Sequence, residues 1–257
     1  MRRYAAVLLT VCNMVLAAGC ATDSKPRPSP EALQKASEIN TQIGIRYLQT
    51  GELQQAVRKL EKALKQDAGN ADAHMTLGVV YERLDETVQA RAHYRRAIEL
   101  QPNNSSALNN YGQFLCERDE YDRAERLFLR AAENPTYESP QVPLANAGVC
   151  AIQDGDTKRA EDFFLRALKY EPRFPSALAH MAQLRFDGRH FLSARGYYQR
   201  YLAVARQSPS TLWLGIRLEH ALGDKDAVAS YKLLLKGKFP DSIQTRQLLE
   251  WEEDGRL

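Results

Sequence analysis

Residues 71–104 read ADAHMTLGVVYERLDETVQARAHYRRAIELQPNN, and this stretch decides the fold. At helical period it places Leu77-Gly78, Tyr81, Ala90, Tyr94, Ala97 and Pro102 in order. That spacing predicts two antiparallel helices that cross where Gly78 and Ala90 lack bulk. Pro102 has no N–H to donate and so ends the second helix. The Gly78/Ala90 pairing recurs at the same separation as Gly44/Ala56, Gly112/Ala124, Gly148/Ala160, Ala182/Ala194 and Gly215/Ala227. A large side chain follows four residues later each time, as Leu60, Tyr94, Phe128, Phe164, Tyr198 and Tyr231. Successive units start 34, 34, 36, 34 and 33 residues apart.

A helical pair of about 34 residues with these small and aromatic positions is the tetratricopeptide pattern. Six tandem repeats over residues 37–240 predict an all-α, right-handed superhelical solenoid, each unit burying its apolar face on its neighbours. The two residues added between repeats three and four, in a stretch with Pro135, Pro140 and Pro143, predict a surface bulge. Repeats five and six carry Tyr201 and Leu234 where earlier units have a small residue, so their packing is expected to differ locally. Residues 241–257, with Ile243, Leu248, Leu249 and Trp251, read as a helix capping the open end.

The first residues read as an address. Arg2 and Arg3 precede an apolar run from Tyr4 to Leu16, too short for a typical membrane span. The run ends Leu16-Ala17-Ala18-Gly19-Cys20, which resembles a bacterial lipobox, although Ala17 stands where that motif favours Leu. Residues 1–19 are therefore expected to be a lipoprotein signal peptide, with Cys20 lipidated. An ordinary signal peptide cut after an Ala-x-Ala-like site is the alternative. Ala21 follows the cysteine where an inner-membrane retention signal would carry Asp, which resembles an outer-membrane address. The proline-rich stretch after Cys20 is expected to be an extended tether, in a segment running over residues 20–36.

Chemistry is hard to find in the rest of the chain. The net charge is +3, and removing Arg2 and Arg3 leaves 33 basic against 32 acidic residues, which gives no reason to propose nucleic acid. No phosphate loop, zinc-hydrolase motif or nucleophile elbow occurs, so no enzyme, cofactor, metal or small-molecule substrate is expected. The five histidines lack metal-ligand spacing, with His74 and His93 on separate helices of one repeat.

Cys116 and Cys150 remain once Cys12 and Cys20 are set aside. In an oxidising compartment they invite a disulfide, although two buried thiols acting as small apolar residues fit as well. Cys116 is position 12 of its first helix and Cys150 position 10 of the next. The two positions differ by about 200° around a helix axis, so one faces forward and the other back. Axes ~8–10 Å apart allow such residues to come within disulfide range.

Finer strings narrow the field. Asn109-Asn110-Tyr111-Gly112 with Phe114-Leu115-Cys116, Asn146-Ala147-Gly148 with Cys150, Leu212-Trp213-Leu214-Gly215-Ile216-Arg217, and Phe239-Pro240-Asp241-Ser242 go beyond the generic repeat. With the lipobox, they resemble the type IV pilus biogenesis and stability lipoproteins, the PilF/PilW pilotin family. The resemblance implies a monomeric lipoprotein anchored to the periplasmic face of the outer membrane. It would bind the pilus secretin and promote its localisation and multimerisation. A repeat scaffold for a different envelope machine is the alternative. In this repeat class the first helices line the concave face, which points to Thr41, Ile45, Leu48, Met75, Val79, Glu82, Asn109, Gln113, Ala145, Val149 and Ile152 as the partner groove. Leu48→Asp or Val79→Asp is expected to weaken partner binding with little effect on melting.

Overall fold

The computed structural model describes residues 28–256. Among them run thirteen helices and no strand: α1 (Pro30–Gln49), α2 (Leu53–Gln66), α3 (Ala71–Arg83), α4 (Thr87–Leu100), α5 (Ser105–Cys116), α6 (Tyr121–Ala132), α7 (Gln141–Gln153), α8 (Thr157–Tyr170), α9 (Pro175–Asp187), α10 (Phe191–Leu202), α11 (Pro209–Leu222), α12 (Lys225–Lys238) and α13 (Ile243–Glu253). Odd and even helices pair into six hairpins, and α13 follows as an unpaired thirteenth.

Local chemistry sets the ends. Asn70 and Asn104 cap α3 and α5, their side chains accepting from the backbone N–H of Ala73 (2.9 Å) and Ala107 (3.0 Å). Such caps satisfy donors that the helix cannot and are worth about 1 kcal/mol each. Every turn inside a hairpin passes through one left-handed residue: Gly51, Asp85, Asp119, Gly155, Arg189 and Gly223. That conformation costs a glycine little and costs other residues more, least where a short polar side chain can bond locally.

Close approach within a hairpin explains the glycine of the odd helix in the first four repeats. A Cβ on Gly78 would lie 2.6 Å from the Tyr94 ring, and one on Gly112 would lie 2.7 Å from Phe128. The helix backbones are thus packed against ring faces, and the rings of Tyr94, Phe128 and Phe164 are almost fully buried.

The hairpins stack in a fixed order. Each even helix packs on the next odd helix, and each odd helix also touches the next odd one, from α1 on α3 to α11 on α13. Successive even helices keep their backbones apart and meet through side chains, as in the Arg159–Glu125 pair of α8 and α6 and the Tyr198–Tyr231 contact of α10 and α12. The odd helices therefore form a continuous inner wall and the even helices splay outside it. Charged pairs on the outer side join successive units: Arg91 with Glu120 (2.5 Å), Arg159 with Glu125 (3.1 Å), and Arg195 with the buried Glu219.

Two places depart from the sequence reading, and the local change expected at Tyr201 is present. The tether does not extend to residue 36, because α1 already begins at Pro30. Pro30 occupies the first turn, where its missing N–H costs nothing, and Ser29 caps the helix by accepting from Ala32 N–H at 3.2 Å. At the other end, Gly215 faces Tyr198 of the preceding hairpin, not Tyr231 of its own. Ala182 already fills the place that glycine leaves open in the earlier repeats. Tyr201 is buried where those units have alanine, and its hydroxyl donates to the Arg206 carbonyl at 2.8 Å.

The proline-rich insertion forms the connection between Ala132 and Gln141, with Pro135, Thr136 and Glu138 exposed. The helix α13 does what a seventh odd helix would do. Its Leu248 is buried against Leu212 and Ile216 of α11, and Trp251 meets Trp213 edge-on at 4.9 Å. Residues 1–27, which include the expected signal peptide and Cys20, lie outside the described residues, as does Leu257.

Candidate functional site

The inner wall is the candidate site, and its residues fall into two groups. Ile45, Leu48, Met75 and Val79 of the first two repeats are half-buried, as are Val149 and Ile152 of the fourth. Gln113 is exposed. Thr41, Asn109 and Ala145 are instead buried at 2%, 7% and 2% exposure, so they do not line an open groove. Their position turns into the seam between neighbouring odd helices, where the Asn109 side-chain oxygen accepts from the Asn146 amide at 2.8 Å. Asn109 is a strut between repeats.

Leu48 and Val79 also need correcting. Leu48 packs on the apolar cluster of the first two repeats, and Val79 packs on the large central cluster. An aspartate at either place would bury a charge against apolar neighbours, so melting would not stay unchanged. Glu82 shows what a carboxylate needs there. It accepts from the Tyr94 hydroxyl at 2.5 Å and lies 3.8 Å from the Arg118 guanidinium, which stacks 3.7 Å above the Phe114 ring. Burial nevertheless raises the Glu82 pKa, with the Tyr94 hydrogen bond and the Arg118 charge opposing the shift.

One seam is covalent. Cys116 of α5 and Cys150 of α7 are joined through their sulfurs, with Cα atoms 5.8 Å apart and a sequence separation of 34. The analogous seam between repeats five and six carries a cation–π contact instead, the Arg217 guanidinium 4.8 Å from the Phe186 ring. Beside the disulfide, Gln113, Glu117, Phe128, Asn146, Val149 and Gln153 line an open cleft of about 120 Å³.

Sequence spacing did not reveal a histidine pair. His74 and His93 meet with their Nδ1 atoms 2.9 Å apart, and Tyr81 stacks on His93. Burial holds His93 at about 4 and pulls His74 below its ordinary value, Arg96 adding to the effect on His74. The two residues sit 19 apart in sequence, a separation that pairs sites on facing helices of one hairpin.

Known proteins share both the repeats and their order. The tetratricopeptide repeat family matches residues 41–105 and 93–126. The type IV pilus assembly protein PilF of Pseudomonas aeruginosa is 34% identical over 231 residues, covering 89% of this chain and 92% of that protein. The chain belongs to the PilF family. Solved structures agree. The structure of P. aeruginosa PilF superposes with a TM-score of 0.76 at 33% identity, over 85% of this chain and 98% of PilF. PilW, a widely conserved type IV pilus biogenesis factor, gives 0.74 at 30% identity, over 83% and 98%. MamA, at 20% identity and a TM-score of 0.54, shares the fold alone. The chain is thus a tetratricopeptide protein of type IV pilus biogenesis.

Proposed function

We propose that this PilF-family chain is an outer-membrane lipoprotein that binds the pilus secretin and promotes its localisation and assembly. The observation that carries the reading is similarity to PilF along nearly the whole chain, repeats and order included. The parts suit escort better than catalysis. Lipid on Cys20 supplies the address, and the inner wall of odd helices offers a long groove to the client. In the first two repeats Ile45 and Met75 contribute apolar surface that a partner can cover.

The test is capture from solubilised membranes followed by mass spectrometry. Secretin is expected in the eluate from the wild-type protein. Cys20→Ala is expected to abolish acyl labelling, release the protein from the outer membrane and leave secretin monomeric or misplaced. Recovery of a different envelope complex, with twitching intact in a deletion strain, would replace this reading with the general scaffold.

A further inference from the structure

Among the described residues the first hairpin is the only one without an ion pair. No salt bridge there involves a residue before Glu82, whereas each later even helix holds at least one paired cation: Arg91, Arg123, Arg159, Arg195 and Lys232. Charge is not scarce in the first hairpin. The helix α2 carries Arg58, Lys59, Lys62 and Lys65, with Glu61 as its only carboxylate. Arg58, Lys62 and Lys65 are exposed and share one side of the helix, at intervals of four and three residues. Lys35 and Arg46 on α1 are exposed as well, against Glu31 and Glu38.

The side of α1 that no earlier repeat covers is also more apolar than a free end requires. Terminal repeats of a solenoid keep a polar outer face. Arg46 conforms: it is exposed at the place where Val80, Phe114 and Cys150 are buried, and where Cys150 reaches back to the preceding repeat. Ile39 does not conform. At its place the later units bury a small residue, Ala73, Ala107, Pro143 or Ala177, whereas Ile39 is larger and 52% exposed. Ala32, Ala36 and Ile43 extend it at helical spacing into a strip along the same side. Ile45, six residues on from Ile39, lies about 120° further round α1 on the groove side, so the strip and the groove are separate surfaces.

Chain geometry decides what can reach this end. The helix α1 has 20 residues and α2 has 14. The Asn40 amide donates to Gln66, the last residue of α2, at 2.8 Å, and the Asn70 amide donates to the Ser37 hydroxyl at 2.8 Å. Residues 30–36 therefore project past α2, at the end of that helix that carries Lys62 and Lys65. The ten residues from Cys20 to Pro30 reach at most ~35 Å. With Cys20 lipidated, a reading on which this inference rests, the front of the solenoid stays within that distance of the bilayer, and even a weak attraction acts at high effective concentration. We infer that the strip of α1 and the cations of α2 rest on anionic phospholipid headgroups. The apolar side chains meet the acyl boundary and the cations lie among the phosphates. The solenoid then stands on its first repeat, with α13 farthest from the bilayer and the groove open along its height.

The probe is vesicles of equal phosphatidylglycerol and phosphatidylcholine, beside vesicles of phosphatidylcholine alone. They are titrated with the mature chain carrying Cys20→Ala, so that no lipid on the protein contributes. Binding to the anionic vesicles is expected, weakened by salt and absent from the neutral ones. Adding Arg58→Gln/Lys62→Gln/Lys65→Gln is expected to lower affinity at least about tenfold. Melting should be unchanged, since all three side chains are exposed. Lys225→Gln/Lys238→Gln/Arg246→Gln, which removes as much charge from the rear, should leave affinity unaltered. An environment-sensitive dye on Ile39→Cys should shift to the blue on the vesicles, and the same dye on Leu249→Cys should not. Equal affinity in the parent and the front variant overturns the inference. So do an equal loss in the rear variant, a shift at Leu249 in place of Ile39, and a parent that ignores anionic vesicles. If vesicles are ignored while the front substitutions abolish capture of secretin, the patch belongs to an acidic protein surface and the inference falls. Vesicle binding through the front without acyl labelling of Cys20 in cells would keep this surface and remove the lipidated reading. Labelling without vesicle binding would do the reverse.

Discussion

In repeats one to four the glycine of the odd helix receives a large side chain from its own hairpin; in repeats five and six this arrangement is displaced by one unit. Gly44 meets Leu60, Gly78 meets Tyr94, Gly112 meets Phe128 and Gly148 meets Phe164. At the fifth place stands Ala182, and Tyr198 reaches forward to Gly215 in the next hairpin. Tyr231 then packs edge-on against Tyr198 at 5.9 Å in place of entering a glycine notch. The front units close on themselves and the rear units close on each other. One added methyl group at residue 182 is enough to pass the contact down the chain, because an interior packed to crystal density has no slack to absorb it.

The largest way to break the contrast is to cut the staple that only the front half has. Cys116→Ser with Cys150→Ser is expected to cost about 4 kcal/mol in the chain-entropy model for a loop of this length. Chemical unfolding with and without reductant measures it, and thiol titration of the unfolded, unreduced protein should find neither cysteine free.

Next come the notches themselves. Gly112→Ala drives a methyl group into Phe128 and is expected to cost ~1–3 kcal/mol. Gly215→Ala meets the Tyr198 hydroxyl, a buried group without a hydrogen-bond partner. Tyr198→Phe should therefore relieve Gly215→Ala in a double-mutant cycle and leave Gly112→Ala untouched. Equal relief at both sites would erase the distinction between front and rear.

Acid should act on the front through its histidine pair, while burial also lowers the pKa of His180 in α9. His93 titrates at about 4 in the folded chain against an ordinary 6.5, because it is buried beside His74 and against Tyr81, with Arg96 close to His74. A histidine with a depressed pKa binds more protons unfolded than folded, so its contribution to stability is full above about 6.5 and is lost as pH falls towards about 4. The loss is on the order of 1–2 kcal/mol once solvent screening of a half-exposed ring is allowed for. His93→Gln is expected to flatten the dependence of stability on pH over that window, read by denaturant titration at successive pH values.

The smallest effect belongs to the turns. Arg189 adopts φ of 58°, where Gly51 and Gly155 serve in the front repeats. Arg189→Gly is expected to stabilise by up to about 1 kcal/mol and to raise the rear melting transition. A fall in stability would mean that the arginine side chain contributes more than its backbone costs.

Much of this was legible because the repeat imposes one rule on many residues. The pairing of Gly78 with Tyr94 recurs often enough to fix the hairpins, their turns and their number. Pro30 was harder. Proline beside Pro26 and Pro28 suggests a tether, yet Ser-Pro is also the cap and first turn of a helix, and only the packing of α1 on α2 and α3 decides between the two. The hand-over from Tyr198 to Gly215 was invisible, because a spacing rule assumes that each unit packs as the reference does. In the groove, helical phase found Ile45, Met75 and Gln113 but could not separate them from Asn109, which shares their side of the helix and faces the seam. The histidine pair shows the same limit, since spacing tests ligands along one helix and these meet across two.

Successive odd helices pack backbone to backbone while successive even ones meet through side chains alone, and the difference has a mechanical meaning. A curved stack bends about the edge where its parts already touch. Here that edge is the inner wall, and the even helices fan out from it, tied to one another by side chains. The Cys116–Cys150 bond lies on this pivot line and not on the fan. It fixes the spacing of α5 and α7 on the inner side and leaves α6 and α8 tied through side chains alone.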